Sequence, residues 1–268
     1  MPYAQLNGLN IFFEQQGHGD CVLLMLPGSL GSTRIEFSQQ FDGFDPDKFT
    51  LVSWDAPGFG NSRPPERDYI NCYNRDAKLL VQLMEQYIGV DTFNLLGFSD
   101  GGRTAMTIAS QYPKMVKKLI LVGATSFNSP KEKRIFELCR NVDGWSNERR
   151  KMYETVYGDD LQRIWAKWVD VNNRQYEFIG PNLPEITCDT LLLYGENDNI
   201  APIDPHAGHL KRNVKNARVH IFTQTSHYCH QEKADEFNQI VHKFLLPPAR
   251  KHWIYPTSYV AETETVIG

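Results

Sequence analysis

The chain contains six strand-sized runs in which apolar residues mostly follow one another rather than alternate with polar ones. The runs are Val22–Leu26, Phe49–Trp54, Phe93–Leu96, Leu119–Val122, Thr190–Tyr194 and Arg218–Phe222. Strands that are buried on both faces of a parallel sheet carry this pattern. Two earlier segments, Tyr3–Leu6 and Leu9–Gln15, are joined by an Asn-Gly turn and predict an opening β-hairpin.

Three segments between the predicted strands have apolar residues at helical spacing. Asn74–Tyr87 repeats them every three or four residues, and Glu232–Leu245 places them on one face. Gly101–Ser110 begins directly after the third apolar run. Strands that alternate with helices in this way predict an α/β fold with a mostly parallel, doubly wound sheet.

One long segment, residues 127–185, interrupts this alternation because it is rich in charged and aromatic residues and has no convincing strand. At about 60 residues it exceeds the usual length of a crossover connection, which is the alternative interpretation. We therefore expect an α/β core of residues 1–126 and 186–246 with residues 127–185 inserted as a helical cap. The cap would lie over the carboxyl ends of the strands, where open α/β sheets bind ligands. Residues 247–268 follow a double proline, show no periodicity and are expected to form a C-terminal tail.

Composition narrows the class of protein. The 268 residues are 41% hydrophobic and 22% charged, with a net charge of −4, so nothing favours nucleic-acid binding. No apolar run approaches the roughly 20 residues of a membrane-spanning helix. The five cysteines form no CxxC pair, which argues against a disulfide framework or a zinc site. With no secretory or transit signal at the N-terminus, we expect a cytoplasmic monomer that binds neither nucleic acid nor membranes.

The strongest chemical signal is the sequence Gly-Phe-Ser-Asp-Gly at Gly97–Gly101. It follows a predicted strand and precedes a predicted helix, which is the context that gives a G-x-S-x-G motif its meaning. The sharp turn exposes the serine, and the helix N-terminus favours negative charge that develops beside it. The motif therefore predicts that Ser99 is a nucleophile.

A serine hydroxyl needs a base to remove its proton, and the base needs an acid to orient it. In chains with this motif the acid precedes the histidine. Asp198 lies in a loop directly after a predicted strand, and His227 lies between the last predicted strand and the last predicted helix. Asp204 and Glu196 are the weaker candidates for the acid.

Four other histidines are weaker candidates for the base. His230 lies close enough to His227 to compete with it. His206, His209 and His220 do not follow a strand end, so we expect surface or packing roles for them.

Two backbone amides are the expected oxyanion donors. One belongs to Asp100, which follows the nucleophile, and the other to Ser29 in the loop Pro27–Gly31. The loop could instead serve only to turn the chain. The side chain of Asp100 is unusual at this position. It could simply favour the helix N-terminus, by about 0.3–1 kcal/mol, or bind a cationic group of the substrate.

Taken together, several segments resemble the valacyclovir hydrolase, or biphenyl hydrolase-like, family within the α/β-hydrolase superfamily. They are LLMLPGSLGS, VSWDAPGFGNSRPPERDY, LLGFSDGGRTA, LYGENDNIAP and HQEKADEFNQ. The resemblance extends from about Leu6 to Leu246 and includes the predicted cap. Two positions differ from the relatives, which have tryptophan in place of Phe98 and a larger apolar residue in place of Ser29.

The resemblance implies an esterase of α-amino acid esters that uses no metal or organic cofactor. It assigns the triad to Ser99, Asp198 and His227, and it implies that Asp100 binds the α-ammonium group of a small-molecule ester substrate. The relatives are linked to mitochondria, so a mitochondrial location stays open beside the cytoplasmic one.

Other functions are compatible with the same three residues. A proline iminopeptidase-like enzyme or a C–C bond hydrolase would use the same triad, and a ligand receptor could keep the fold without catalysis. Haloalkane dehalogenases and epoxide hydrolases use an aspartate nucleophile, so Ser99 argues against them.

Overall fold

A computed structural model describes residues 3–174 and 182–246 of the chain. Its strands are β1 (Tyr3–Leu6), β2 (Leu9–Gln16), β3 (Cys21–Leu26), β4 (Phe49–Trp54), β5 (Phe93–Phe98), β6 (Val116–Val122), β7 (Asp189–Gly195) and β8 (Ala217–Phe222). They form one sheet of order β1-β2-β4-β3-β5-β6-β7-β8. The pairs β1–β2 and β2–β4 are antiparallel, and the remaining pairs are parallel. The predicted α/β class with a mostly parallel sheet is confirmed.

The central strands explain the continuous apolar runs. Every residue of β4 and β5 is buried because helices cover both faces of the sheet. The edge strand β8 is buried only at its two ends, and Val219 and Ile221 are exposed. This partial exposure accounts for the weaker hydrophobic pattern of the last predicted strand.

The helices alternate with the strands along most of the chain. They are α1 (Thr33–Gly43), α2 (Cys72–Leu83), α3 (Gly101–Gln111), α4 (Pro130–Leu138), α5 (Asn147–Tyr157), α6 (Leu161–Arg174), α7 (Ile203–Asn213), α8 (Cys229–Glu232) and α9 (Ala234–Leu245). Residues of α2, α3 and α7 pack on one face of the sheet, and residues of α1 and α9 pack on the other. The sheet is therefore doubly wound, as expected.

The helices depart from the sequence prediction at four places. The apolar pattern does not predict α1 or α7. The single helix expected over Glu232–Leu245 begins at Ala234 and is preceded by the separate short helix α8. The helix expected over Asn74–Tyr87 begins at Cys72, and its last turn, Met84–Ile88, is π-helical.

The segment between β6 and β7 contains α4, α5 and α6 and has an apolar cluster of its own. Trp165 and Trp168 stack with ring centroids 4.9 Å apart, and Leu30 and Phe59 from outside the segment pack into the same cluster. The Tyr157 hydroxyl donates to the Leu30 carbonyl at 2.8 Å. These contacts agree with an inserted cap, although the division into core and cap stays a prediction. The expected tail, 247–268, lies outside the described residues.

None of the helices within the described ranges combines the length and apolar content that crossing a bilayer requires. The cytoplasmic location and the monomeric state that the sequence suggests stay predictions.

Candidate active site

Ser99 occupies the sharp turn between β5 and α3. Its φ of 50° lies in the left-handed region, which is strained for a residue with a side chain. The Ser99 amide donates to the carbonyl of Val122 at 2.8 Å, which fixes the turn against β6. A Cβ atom at Gly101 would lie 2.4 Å from the carbonyl oxygens of Leu26 and Pro27, so the backbone approaches closely at the second motif glycine. The motif therefore forms the turn that its context predicts.

A continuous chain of hydrogen bonds joins the three residues predicted to form the triad. Ser99 Oγ lies 2.9 Å from Nε2 of His227, and Nδ1 of the same ring lies 2.7 Å from Oδ2 of Asp198. The other carboxylate oxygen of Asp198 accepts from the amides of Ile200 and Ala201 at 2.9 and 2.8 Å. Because Asp198 and His227 are both buried, little water competes for these bonds.

The groups around His227 fix its position. The Phe98 ring packs against it with centroids 5.0 Å apart. On another side lies Gly123, where a Cβ atom would come within 2.9 Å of the imidazole. Sequence reasoning did not identify Gly123, because a single glycine at the end of β6 carries no local signal of a histidine more than a hundred residues later.

The side chains of Asp204, Glu196 and His230, the competing candidates for the acid and the base, form no hydrogen bond with Ser99 and replace no member of this hydrogen-bonded series. Asp204 is exposed, and Glu196 accepts from the amide of Gln224 at 2.8 Å. His230 is fully buried, and its Nε2 lies 3.1 Å from the carbonyl oxygen of Glu36. Burial lowers the pKa of His230 to about 3, with a smaller effect of nearby His227, so this ring is neutral at ordinary pH.

The remaining rival histidines also contact other partners. His206 is buried with Nε2 3.0 Å from Glu132 Oε1, and Nδ1 of His209 lies 2.8 Å from Ser126 Oγ. His220 is partly exposed and lies 3.9 Å from Glu236. Of the five candidate histidines, the structure places His227 against Ser99.

A small cavity of about 40 Å³ lies beside the nucleophile. Ser99, Ser29 and Asp100 line it. Within the part of the chain that the structure describes, neither the Ser29 amide nor the Asp100 amide donates a hydrogen bond. Both amides are therefore available to an oxyanion formed at Ser99.

The Asp100 carboxylate is anchored on one side only. Its Oδ1 accepts from the Tyr73 hydroxyl at 2.7 Å and lies 3.7 Å from Arg103 Nη1. No hydrogen bond to Oδ2 is found within residues 3–174 and 182–246. Burial raises the pKa of Tyr73 well above its ordinary value, and the Asp100 charge adds to the effect, so the phenol remains a donor. One carboxylate oxygen thus stays free for a ligand.

A larger, open groove of about 900 Å³ also borders His227. Glu36, Arg149, Tyr153 and Tyr228 line both this groove and the small cavity. Glu36 is buried, and its Oε1 accepts from the Tyr153 hydroxyl at 2.8 Å. Burial raises the pKa of Glu36 to about 7. Sequence reasoning did not single out these residues, because they come from α1, α5 and the residue before α8 and meet only in the folded chain.

Metal-ligating side chains are not clustered among the described residues. Across the described ranges, no three His, Cys, Asp or Glu side chains are grouped so that they could hold a metal ion.

Comparison with known proteins agrees with this geometry. A family model described as the alpha/beta hydrolase fold matches residues 22–168. The chain belongs to the α/β-hydrolase family.

Among members of this family, the chain is 37% identical to serine hydrolase BPHL of Mus musculus over 247 residues, which cover 90% of this chain and 84% of the relative. The human serine hydrolase BPHL is equally similar, with 37% identity over 248 residues and the same coverage. The resemblance to the biphenyl hydrolase-like proteins is confirmed, and these relatives support hydrolase activity.

A solved structure of another α/β-hydrolase shows the same fold. The meta-cleavage product hydrolase from Pseudomonas fluorescens IP01 superimposes with a TM-score of 0.74 at 18% identity. The match covers 90% of this chain and 96% of that one. At this level of identity the likeness concerns the fold alone.

Proposed function

We propose that the protein is a serine esterase that hydrolyses α-amino acid esters through an acyl-enzyme on Ser99. The observation that carries the proposal is the hydrogen-bonded series from Ser99 through His227 to Asp198, at 2.9 and 2.7 Å. Asp100 lines the same cavity as Ser99 and His227, and its Oδ2 has no hydrogen-bond partner among the described residues. The 37% identity to serine hydrolase BPHL supports the same class of enzyme.

In the first half of the reaction, Ser99 Oγ attacks the ester carbonyl while His227 Nε2 takes the hydroxyl proton. The amides of Ser29 and Asp100 donate to the oxyanion of the tetrahedral intermediate. Asp198 holds the tautomer in which Nδ1 carries the proton and stabilises the imidazolium that forms. The intermediate collapses, the C–O bond to the alcohol breaks, and His227 protonates the leaving oxygen.

In the second half, water attacks the acyl-enzyme carbonyl while His227 again removes a proton. The second tetrahedral intermediate expels Ser99, which regains its proton from His227. The products are a carboxylic acid and the alcohol released in the first half. Every proton passes through a group whose contacts the structure gives.

Substrate selection is assigned to the side chain of Asp100. Its free Oδ2 would accept a hydrogen bond from the α-ammonium of the acyl group, and the bond to Tyr73 keeps the carboxylate in position. A charge-assisted hydrogen bond contributes about 1.5–3 kcal/mol. Removing the ammonium should therefore lower kcat/KM by about 10- to 150-fold.

The test compares a 4-methylumbelliferyl ester of L-valine with the 3-methylbutanoate ester, which lacks only the amino group. We expect wild type to prefer the valyl ester, Ser99→Ala to cleave neither, and Asp100→Asn to lose most of the preference. Asp91→Asn, which removes an exposed carboxylate, is the matched control and should keep it. Undiminished turnover by Ser99→Ala would refute the esterase mechanism, and an unchanged preference in Asp100→Asn would refute the role of Asp100.

A C–C bond hydrolase is the second candidate. The chain is 29% identical, over 90% of its length and 92% of the relative, to a 2-hydroxy-6-oxononadienedioate/2-hydroxy-6-oxononatrienedioate hydrolase of Escherichia coli. Assaying that dioate beside the valyl ester separates the two candidates. Ser99-dependent cleavage of the dioate alone would favour the C–C bond hydrolase.

A further inference from the structure

Arg149 lies in the first turn of α5, at the boundary between the small cavity and the groove. Its guanidinium carbon is 4.4 Å from the centroid of the Tyr228 ring, 5.2 Å from that of Trp145 and 5.8 Å from that of Tyr153. Aromatic faces attract a guanidinium and hold it in place, but they do not neutralise its charge. Arg149 is therefore a positioned cation beside the proposed reaction centre.

The guanidinium of Arg149 forms no ion pair with any of the described residues. Throughout residues 3–174 and 182–246, no carboxylate forms an ion pair with Arg149, and its buried Nε has no hydrogen-bond partner. The next residue, Arg150, binds Asp143 and Glu154 at 2.6 Å each. The two neighbouring arginines thus differ, because Arg149 lines both cavities and has no ion-pair partner among the described residues, whereas Arg150 is held in two ion pairs.

The carboxylates that share the groove do not supply the missing charge. Glu36 accepts a hydrogen bond from the Tyr153 hydroxyl and forms no ion pair with Arg149. Burial raises the pKa of Glu36 to about 7 and outweighs the nearby charge of Arg149, which lowers this pKa, so the carboxyl is only partly ionised at neutral pH. The carboxylate of Glu232 accepts from the amide and hydroxyl of Ser226. Glu148, which also lines the groove, is exposed to water, where an opposite charge attracts weakly. A ligand oxyanion would be a stronger partner for the guanidinium.

The two cavities indicate where the acyl and alcohol portions of the ester lie relative to Arg149, which borders both. Asp100 and Ser99 line the small cavity but not the groove, so the acyl group and its ammonium belong in the small cavity. His227 lines both spaces and must protonate the leaving oxygen. The alcohol therefore extends from His227 into the groove, where it passes Arg149.

We propose that Arg149 binds an oxyanion, a carboxylate or a phosphate, on the alcohol portion of the substrate. The enzyme would then favour esters with an ammonium on the acyl group and a negative charge on the leaving group. This inference rests on the proposed function, since the two sides of the ester are defined by the attack of Ser99.

The experiment uses L-valine esters of three small alcohols: 3-hydroxypropanoate, its neutral amide and 2-hydroxyethyl phosphate. The measured quantity is the ratio of kcat/KM for an anionic ester to that for the amide ester, compared between variants so that intrinsic reactivity cancels. Arg149→Gln should lower this ratio at least about tenfold, and Arg149→Lys should restore part of it. Arg150→Gln makes the same charge change one residue away and should leave the ratio unaltered. The carboxylate and phosphate arms show which oxyanion the site prefers.

Two results would overturn the inference. An equal loss for all three esters in Arg149→Gln would mean that Arg149 only supports the structure of the site. Equal effects of Arg149→Gln and Arg150→Gln would mean that overall charge, rather than a contact, sets the preference.

A binding measurement separates this inference from the proposed function. Titration calorimetry of the three esters with Ser99→Ala, with and without Arg149→Gln, gives the preference without turnover. A preference that depends on Arg149 in binding, together with no Ser99-dependent cleavage, would refute the esterase and keep the oxyanion site. Cleavage by Ser99 with no such preference would keep the esterase and refute the oxyanion site.

Discussion

Replacing Gly123 with alanine tests whether the position of His227 controls activity. Gly123 has a φ of 52°, and a Cβ atom there would lie 2.9 Å from Nδ1 of His227 and 3.3 Å from Oδ2 of Asp198. Carbon atoms in contact prefer separations of about 3.5–4.0 Å. The added methyl group must therefore push the imidazole by roughly 0.6 Å or more.

Two magnitudes follow from this geometry. An alanine in the left-handed region costs about 1–2 kcal/mol of folding free energy. A misplacement of about 1 Å in a catalytic group can cost about 10²-fold in rate. We expect Gly123→Ala to remain folded with slightly lower stability and to lose about two orders of magnitude in kcat for a valyl ester.

The assay pairs ester hydrolysis with urea denaturation, so that the loss of rate can be separated from the loss of folded protein. Gly89→Ala is the matched control, because Gly89 has a φ of 77° and nothing lies within 4 Å of the position that an added Cβ atom would occupy. It should show a similar stability loss with wild-type activity. Gly123→Ala activity within about threefold of that control would refute the reasoning, since the imidazole would then tolerate the displacement.

Three further changes have expected outcomes. Asp198→Asn removes the charge that orients His227 and should lower kcat about 10³- to 10⁴-fold without unfolding the protein; a loss below tenfold would argue against this acid. Because burial raises the pKa of Glu36 from 4.5 to about 7, the folded state holds that proton more tightly than the unfolded chain. The contribution of this proton to the free energy of unfolding is fully present below pH 4.5 and is lost as the pH rises through 7. Wild-type stability, measured by urea denaturation, should therefore fall between pH 5 and 7, and Glu36→Gln should make this fall smaller. Tyr157→Phe leaves two buried backbone groups without their phenol partner and should cost about 1–3 kcal/mol by urea denaturation; a change below about 0.5 kcal/mol would contradict that contribution.

The sheet and the residues around Ser99 could be predicted because their signals are local. A strand buried on both faces is apolar along its whole length, and a nucleophile turn fits within five residues, Gly97–Gly101. The acid and the histidine could be placed because each follows a recognisable strand, β7 or β8. The hydrogen bond between His227 and Asp198 can form because the parallel strands β7 and β8 end at the same edge of the sheet.

The sequence did not predict helix α1 because several of its polar residues are as buried as its apolar residues. In α1, the polar residues Glu36 and Gln40 are as buried as Phe37 and Phe41, so apolar periodicity is weak. Gln40 donates to the carbonyl of His230 at 2.8 Å, a contact across 190 residues of sequence. Partners this distant satisfy buried polar groups and leave no trace in a local pattern.

The same distinction separates the proposed chemistry from the proposed specificity. The hydrogen-bonded series through His227 is held by the ends of strands in one sheet. Arg149 and Tyr153, by contrast, belong to α5 and reach the site only because that helix packs over the core. Substitutions on the inner face of α5 can therefore alter which leaving group is accepted without moving Ser99. If this is right, relatives that share the triad but differ along α5 should share a reaction and differ in substrate.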